Sequence, residues 1–190
     1  FAESDEYEAW FYERGGLDLV RQAYAPAGLH YIAPTVYGQE PLHSKVPIRK
    51  IADLTGKKGR FVGLASAVMG AMGVSVTPLP TGEVYSALET RLIDGAENNE
   101  PSYVQTRHVE VAKFYAEDQH TSVPDFLVIS SKVLDKLSDE QKAILTTAAK
   151  HSETYEQELW DKEVAASRKQ ATDAGATFIQ VDKEAFRTAL

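Results

Sequence analysis

The chain has 190 residues, of which 43% are hydrophobic and 25% charged, and a formal net charge of −8. That is enough apolar material to bury a core in one or two domains, while the acidic balance excludes general affinity for nucleic acid or anionic membrane, both of which reward a positive surface. Without cysteine, and with five histidines none of which are four residues apart, thiolate metal sites and H-E-x-x-H zinc sites are excluded as well.

From the N-terminus, Ser4 to Tyr24 has helical periodicity interrupted by Gly15-Gly16, which predicts two helical pieces closed by Ala27-Gly28. Leu29 to Ala33 reads as a strand, and Pro34 to Pro47, with Gly38 and several prolines, as a loop and the first candidate ligand segment. The glycine-flanked GRFVG, Gly59 to Gly63, predicts a short strand, and Ala65 to Met72 a helix that stops at Gly73. Val74 to Leu79 is a further strand. Thr81 is placed to cap a helix over Gly82 to Thr90, and Leu92 to Ala96 completes the unit.

Strand and helix alternate with short connections, which predicts a largely parallel sheet with ligands at the carboxyl ends of its strands. Arg60 lies in the strand that opens this unit, and Glu97-Asn98-Asn99 follow the strand that ends it, so both are expected to face one crevice. A guanidinium matches a carboxylate with a planar fork of donors, and an asparagine amide adds a donor and an acceptor. The ligand expected from these residues is an organic acid. Asn99 is read as a turn cap and His120 as a packed histidine.

Val109 to Tyr115 is open between helix end and strand, and FLVIS, Phe126 to Ser130, is expected to be a buried strand. Ser138 with Gln141 forms a capping box that starts one long helix, Asp139 to about Ala174, stopped by Gly175. At 1.5 Å per residue it spans about 50 Å, longer than one small domain is wide. Its stripe of Ile144, Ala148, Tyr155, Leu159 and Ala166 is expected to pack on the domains. A strand over Ala176 to Val181 and a helical start at Lys183 follow. No G-x-S-x-G elbow, phosphate loop or H-E-x-x-H is present, so a binder is expected rather than an enzyme. No basic-then-apolar leader opens the chain, which reads as mature or partial.

PIRKIADLTGKKGR (Pro47 to Arg60), LPTGEVYSALETRLIDGAEN (Leu79 to Asn98), FLVIS followed by KVLDKLSDEQKAIL (Lys132 to Leu145), and the long helix closely resemble the substrate-binding proteins of tripartite ATP-independent periplasmic (TRAP) transporters. The resemblance covers residues from about 7 to 181. It implies a two-lobed α/β periplasmic binding protein with a long helix spanning both lobes. Lobe I would comprise residues 1–37 and 124–163, and lobe II residues 38–123 and 164–190. The lobes would close on an organic acid and hand it to the membrane permease. In the family the arginine matched by Arg60 holds the ligand carboxylate, the asparagine matched by Asn98 contacts it, and a glutamine matched by Gln39 touches the ligand.

Two positions depart from the family's pattern. Members that bind keto and hydroxy acids use a glutamate at the position of Glu97 to hold a cation, followed by tryptophan; here Asn98 follows Glu97, so no cofactor or metal is expected. Many dicarboxylate binders place a second arginine near Glu40, where an acidic residue would repel a second carboxylate. A monocarboxylate, whether keto, hydroxy or sugar acid, is therefore favoured. The family also begins before and continues beyond the matched region, so the chain is expected to be a fragment lacking both ends. A ligand-sensing domain or an organic-acid enzyme on a similar α/β scaffold is the alternative reading.

Overall fold

Residues 4–118 and 120–188 are described in a computed structural model, and the chain divides into two units. One comprises Phe1–Gly38 with Val123–Lys162, the other Gln39–Ser122 with Glu163–Leu190.

The first unit opens with α1 (Ser4–Tyr12) and α2 (Gly16–Tyr24), separated where expected at Gly15, whose φ of 80° is left-handed. A side chain at Gly16 would collide with the Trp10 ring at 2.3 Å, so this corner needs glycine for space as well as for conformation. After the left-handed Gly28, β1 runs over Leu29–Gln39 and pairs with β7 (Ser122–Ser130) in a two-stranded sheet. Aromatic packing closes this unit: Phe11 stacks on Tyr31 with centroids 5.7 Å apart, and Phe126 meets Tyr24 and Tyr31 edge-on or tilted. The expectation of a buried FLVIS strand is corrected here, since Phe126, Leu127 and Val128 keep 37–39% of their surface exposed. A strand in a two-stranded sheet has a single hydrogen-bonded neighbour, here β1.

After α7 (Ser131–Leu134), α8 runs unbroken over Asp139–Asp173, and the Ser138–Gln141 capping box is formed in both directions, at 2.9 and 3.2 Å. Its buried face differs from the expected stripe. Ala149, Glu153, Ser167 and Ala171 are enclosed, whereas Ile144 and Tyr155 are 61% and 67% exposed. Small residues allow the close approach, and Glu153 goes in because the Tyr12 hydroxyl donates to it at 2.7 Å.

The second unit is a six-stranded sheet in the order β4-β3-β5-β2-β6-β8. Its strands are β2 (Leu42–Ser44), β3 (Lys58–Arg60), β4 (Ser75–Val76), β5 (Gly95–Glu97), β6 (Phe114–Glu117) and β8 (Thr177–Gln180). β3 pairs in parallel with β4 and β5, and β6 with β8, but β2 runs antiparallel between β5 and β6. The sheet is therefore mixed. Part of the segment read as a loop, Pro34 to Pro47, supplies the end of β1 and this inserted strand. Gly95 leaves no room for a side chain between β5 and β2, because a Cβ there would lie 2.8 Å from the His43 carbonyl.

One face of the sheet carries Leu42, Phe61, Ala116 and Ile179 against α3 (Gly63–Ala71) and α9 (Lys183–Thr188). The opposite face carries Ala96 against α4 (Val84–Glu89), and Tyr115 and Phe178 against α5 (Glu100–Gln105), α6 (His108–Val111) and the C-terminal part of α8. The stretch open between helix and strand resolves into both, α6 and then β6. Among the described residues no helix is long and apolar enough to cross a membrane.

Candidate acid-binding site

Sheet register brings the candidate residues to one edge of the second unit. Leu42 opens β2 opposite Glu97, the last residue of β5, and opposite Ala116 near the end of β6, while Arg60 ends β3 beside Ala96. Gln39 and Glu40 lead into β2, Asn98 follows β5, and Asp118 and His120 follow β6. All of them collect where the parallel strands β3 and β5 present their carboxyl ends, the place where ligands of such sheets bind. The Asn98 N–H donates to Pro41 carbonyl at 3.2 Å, tying two of these segments together.

Arg60 is half-buried, and its guanidinium is braced: Nε donates to the Leu79 carbonyl at 3.1 Å and Nη2 to Thr81 Oγ1 at 3.3 Å. These partners use two of the five donors of the fork. Thr81 thereby has a different task from the expected cap. Residues Thr81–Glu83 form a 3-10 turn ahead of α4, and the hydroxyl accepts from Arg60.

Residues directly opposite one another on neighbouring strands share a face. The row Arg60, Ala96, His43, Tyr115 and Phe178 therefore lies on one face, and the row of Glu97, Leu42 and Ala116 on the other. The expectation of a wall facing Arg60 is corrected accordingly for Glu97. Glu97 is enclosed, its Oε1 accepting the Val62 N–H at 2.8 Å and its Oε2 meeting His120 Nε2 at 3.3 Å. His120 Nδ1 meets Asp118 Oδ2 at 2.9 Å, and Asp118 Oδ1 accepts the Leu42 N–H at 3.3 Å. Burial opposes charge on His120, but Asp118 and then Glu97 outweigh it and push its pKa up to about 9. A protonated histidine between two carboxylates thus locks β3, β2 and the segment after β6 to one another at the site's floor.

Of the other candidates, Asn98 is nine-tenths buried, and Asn99, as expected, caps α5 by accepting the Ser102 N–H at 2.9 Å. Glu40 is largely buried, and its N–H donates to Thr121 carbonyl at 3.0 Å; Gln39 is half-buried. Beneath Arg60, His43 and His108 are buried with Nε2 and Nδ1 3.1 Å apart. Burial, then the neighbouring His108 and Arg60, hold His43 well below its ordinary value, and burial with Arg60 brings His108 down to about 4. Both are therefore neutral at pH 7. Sequence reasoning missed Thr81 as a brace, Tyr115, and the Asp118–His120–Glu97 chain. Only the D-x-H spacing hinted at the last.

Set beside known proteins, residues 1–190 match the family of bacterial extracellular solute-binding proteins, family 7. The protein YiiZ of Salmonella typhimurium is 40% identical over 150 residues, 77% of this chain and 46% of that protein. A solute-binding protein of Chromohalobacter salexigens is 35% identical over 74% of this chain and 43% of its own length, so the chain spans about half of the curated relatives it matches. Among solved structures, a TRAP periplasmic solute binding protein from Xanthobacter autotrophicus with bound β-D-galacturonate superposes with a TM-score of 0.89 at 35% identity, covering 98% of this chain and 63% of that one. One from Roseobacter denitrificans with bound β-D-glucuronate gives 0.90 at 34% identity, with 98% and 63% covered.

Proposed function

The chain belongs to the bacterial extracellular solute-binding proteins of family 7, and from that premise we propose that it is part of a periplasmic TRAP receptor that binds a monocarboxylic sugar acid, a hexuronate, through Arg60 and Asn98. The protein hands the acid unchanged to its membrane permease and catalyses nothing. The observation that carries the reading is Arg60 itself, a half-buried guanidinium at the carboxyl end of β3, aimed by Leu79 and Thr81 with donors to spare. A braced fork has lost its rotamer freedom before the ligand arrives, so more of the ion-pair energy appears as affinity. Asn98 stands one strand away, and the carboxylate of Glu40 at the same edge opposes a second acid group on the ligand. The relatives that hold galacturonate and glucuronate add the ligand class.

The test is a thermal-shift and calorimetric screen of the full-length protein against D-galacturonate, D-glucuronate, pyruvate, succinate and malate, since a ligand that binds only the folded state raises its melting temperature. The uronates are expected to give the largest rise, to be recovered chemically unchanged, and to lose about 2–5 kcal/mol of binding in Arg60→Ala. Tighter binding of succinate or malate, or full affinity in Arg60→Ala, overturns the reading.

A further inference from the structure

The peptide groups flanking Asn98 are held from two directions: its N–H goes to Pro41 and its carbonyl accepts from the Tyr115 hydroxyl at 2.9 Å. Two residues on, Glu100 opens α5, and its carboxylate meets Arg168 Nη1, from α8, at 3.4 Å. Arg168 pairs also with Glu117 at 2.6 Å, and its guanidinium lies 4.1 Å over the Phe178 ring. Phe178 in turn packs on Tyr115 with centroids 5.1 Å apart, and Tyr103 packs on Tyr115 at the same distance. The tyrosine ring is thus clamped between two aromatics, one of them covered by Arg168.

A wholly buried tyrosine needs an acceptor for its single phenolic proton, and many carbonyls would serve. Neighbouring Tyr103 uses the Ala112 carbonyl, which is remote from the site. Tyr115 donates instead to the carbonyl of Asn98, the residue read above as the partner of Arg60, and the Glu100 carboxylate lies beside the same hydroxyl. Burial and the nearby Glu100 charge push the Tyr115 pKa well above its ordinary value, so the hydroxyl remains a donor. We propose that Tyr115 is a positioning residue of the acid site, fixing the Asn98 amide toward the carboxylate held by Arg60, with Arg168 securing the tyrosine ring and the start of α5. This rests on the reading that Arg60 and Asn98 bind an acid.

A double-mutant cycle separates positioning from mere packing. D-galacturonate and D-glucuronate are titrated into the full-length wild type, Tyr115→Phe, Asn98→Ala and the double variant. Loss of one hydrogen bond is expected to weaken binding about five-fold in the wild-type background. In the Asn98→Ala background the same change is expected to move the Kd by less than about two-fold, the range within which independent effects add. Arg168→Leu, at a side chain 40% exposed, is expected to show the same coupling, and it replaces Tyr115→Phe if that variant does not fold. Equal losses in both backgrounds, or no loss in the wild-type one, overturn this inference alone where Arg60→Ala still weakens binding. A wild type that binds no acid overturns the acid reading and this inference with it.

Discussion

Glu97 stands one residue from Asn98, yet strand alternation turns its side chain away from Arg60 and into the floor of the site. Taking a carboxylate and an imidazolium out of water is costly, and the cost is offset only while each keeps its partners. Glu97→Ala would leave the Val62 N–H and one side of His120 without theirs. That variant is expected to lose about 3–5 kcal/mol in urea unfolding, and Glu97→Gln, which keeps an acceptor for Val62, distinctly less. A wild-type midpoint in Glu97→Ala would mean that the buried pair contributes nothing. In the sequence, the positions of Arg60 and Asn98 at strand ends were legible, because short apolar segments flanked by glycine or polar residues mark where strands stop. The face each residue takes was not, since it depends on the register with β2, and Thr81 could be seen only as a cap because its partner Arg60 lies 21 residues away.

Elements with a strong local signal were legible and those defined by distant partners were not. Gly15, Gly28 and Gly175 mark helix ends by conformation, with φ of 80°, 72° and 85°. β2 has three residues and no periodicity of its own, and it exists because β5 and β6 pair with it on both sides. β1 continues through Pro34 because a two-stranded sheet leaves each strand an edge on which a missing N–H is tolerated. The start of α8 is the element most fully written in local residues, and Ser138→Ala tests it. Losing one half of the capping box is expected to cost about 1 kcal/mol in thermal or urea unfolding. Gln141→Ala is expected to cost less, since the Ser138 hydroxyl would still accept the Gln141 N–H. No change in either variant would mean that α8 is held by tertiary contacts alone.

For the molecule as a whole, three buried histidines set a stability optimum near neutrality. His120 is charged in the fold, with its pKa raised to about 9 from 6.5. Its contribution is fully present below about pH 6.5, declines as pH rises, and is gone above about 9, an effect on the order of 3 kcal/mol at the rate of about 1.4 kcal/mol per unit. His43 and His108 are neutral in the fold, with His108 lowered to about 4. For them the sign reverses. The unfolded chain takes up protons first as pH falls below about 6.5, and stability declines toward pH 4. Urea unfolding from pH 4 to 9 is therefore expected to trace a dome. Difference curves isolate each limb: His120→Gln should flatten the decline between pH 6.5 and 9 while leaving the acid limb intact, and His108→Gln should soften only the acid limb. An alkaline limb of unchanged slope in His120→Gln would place its cause elsewhere and leave His120 neutral between Asp118 and Glu97.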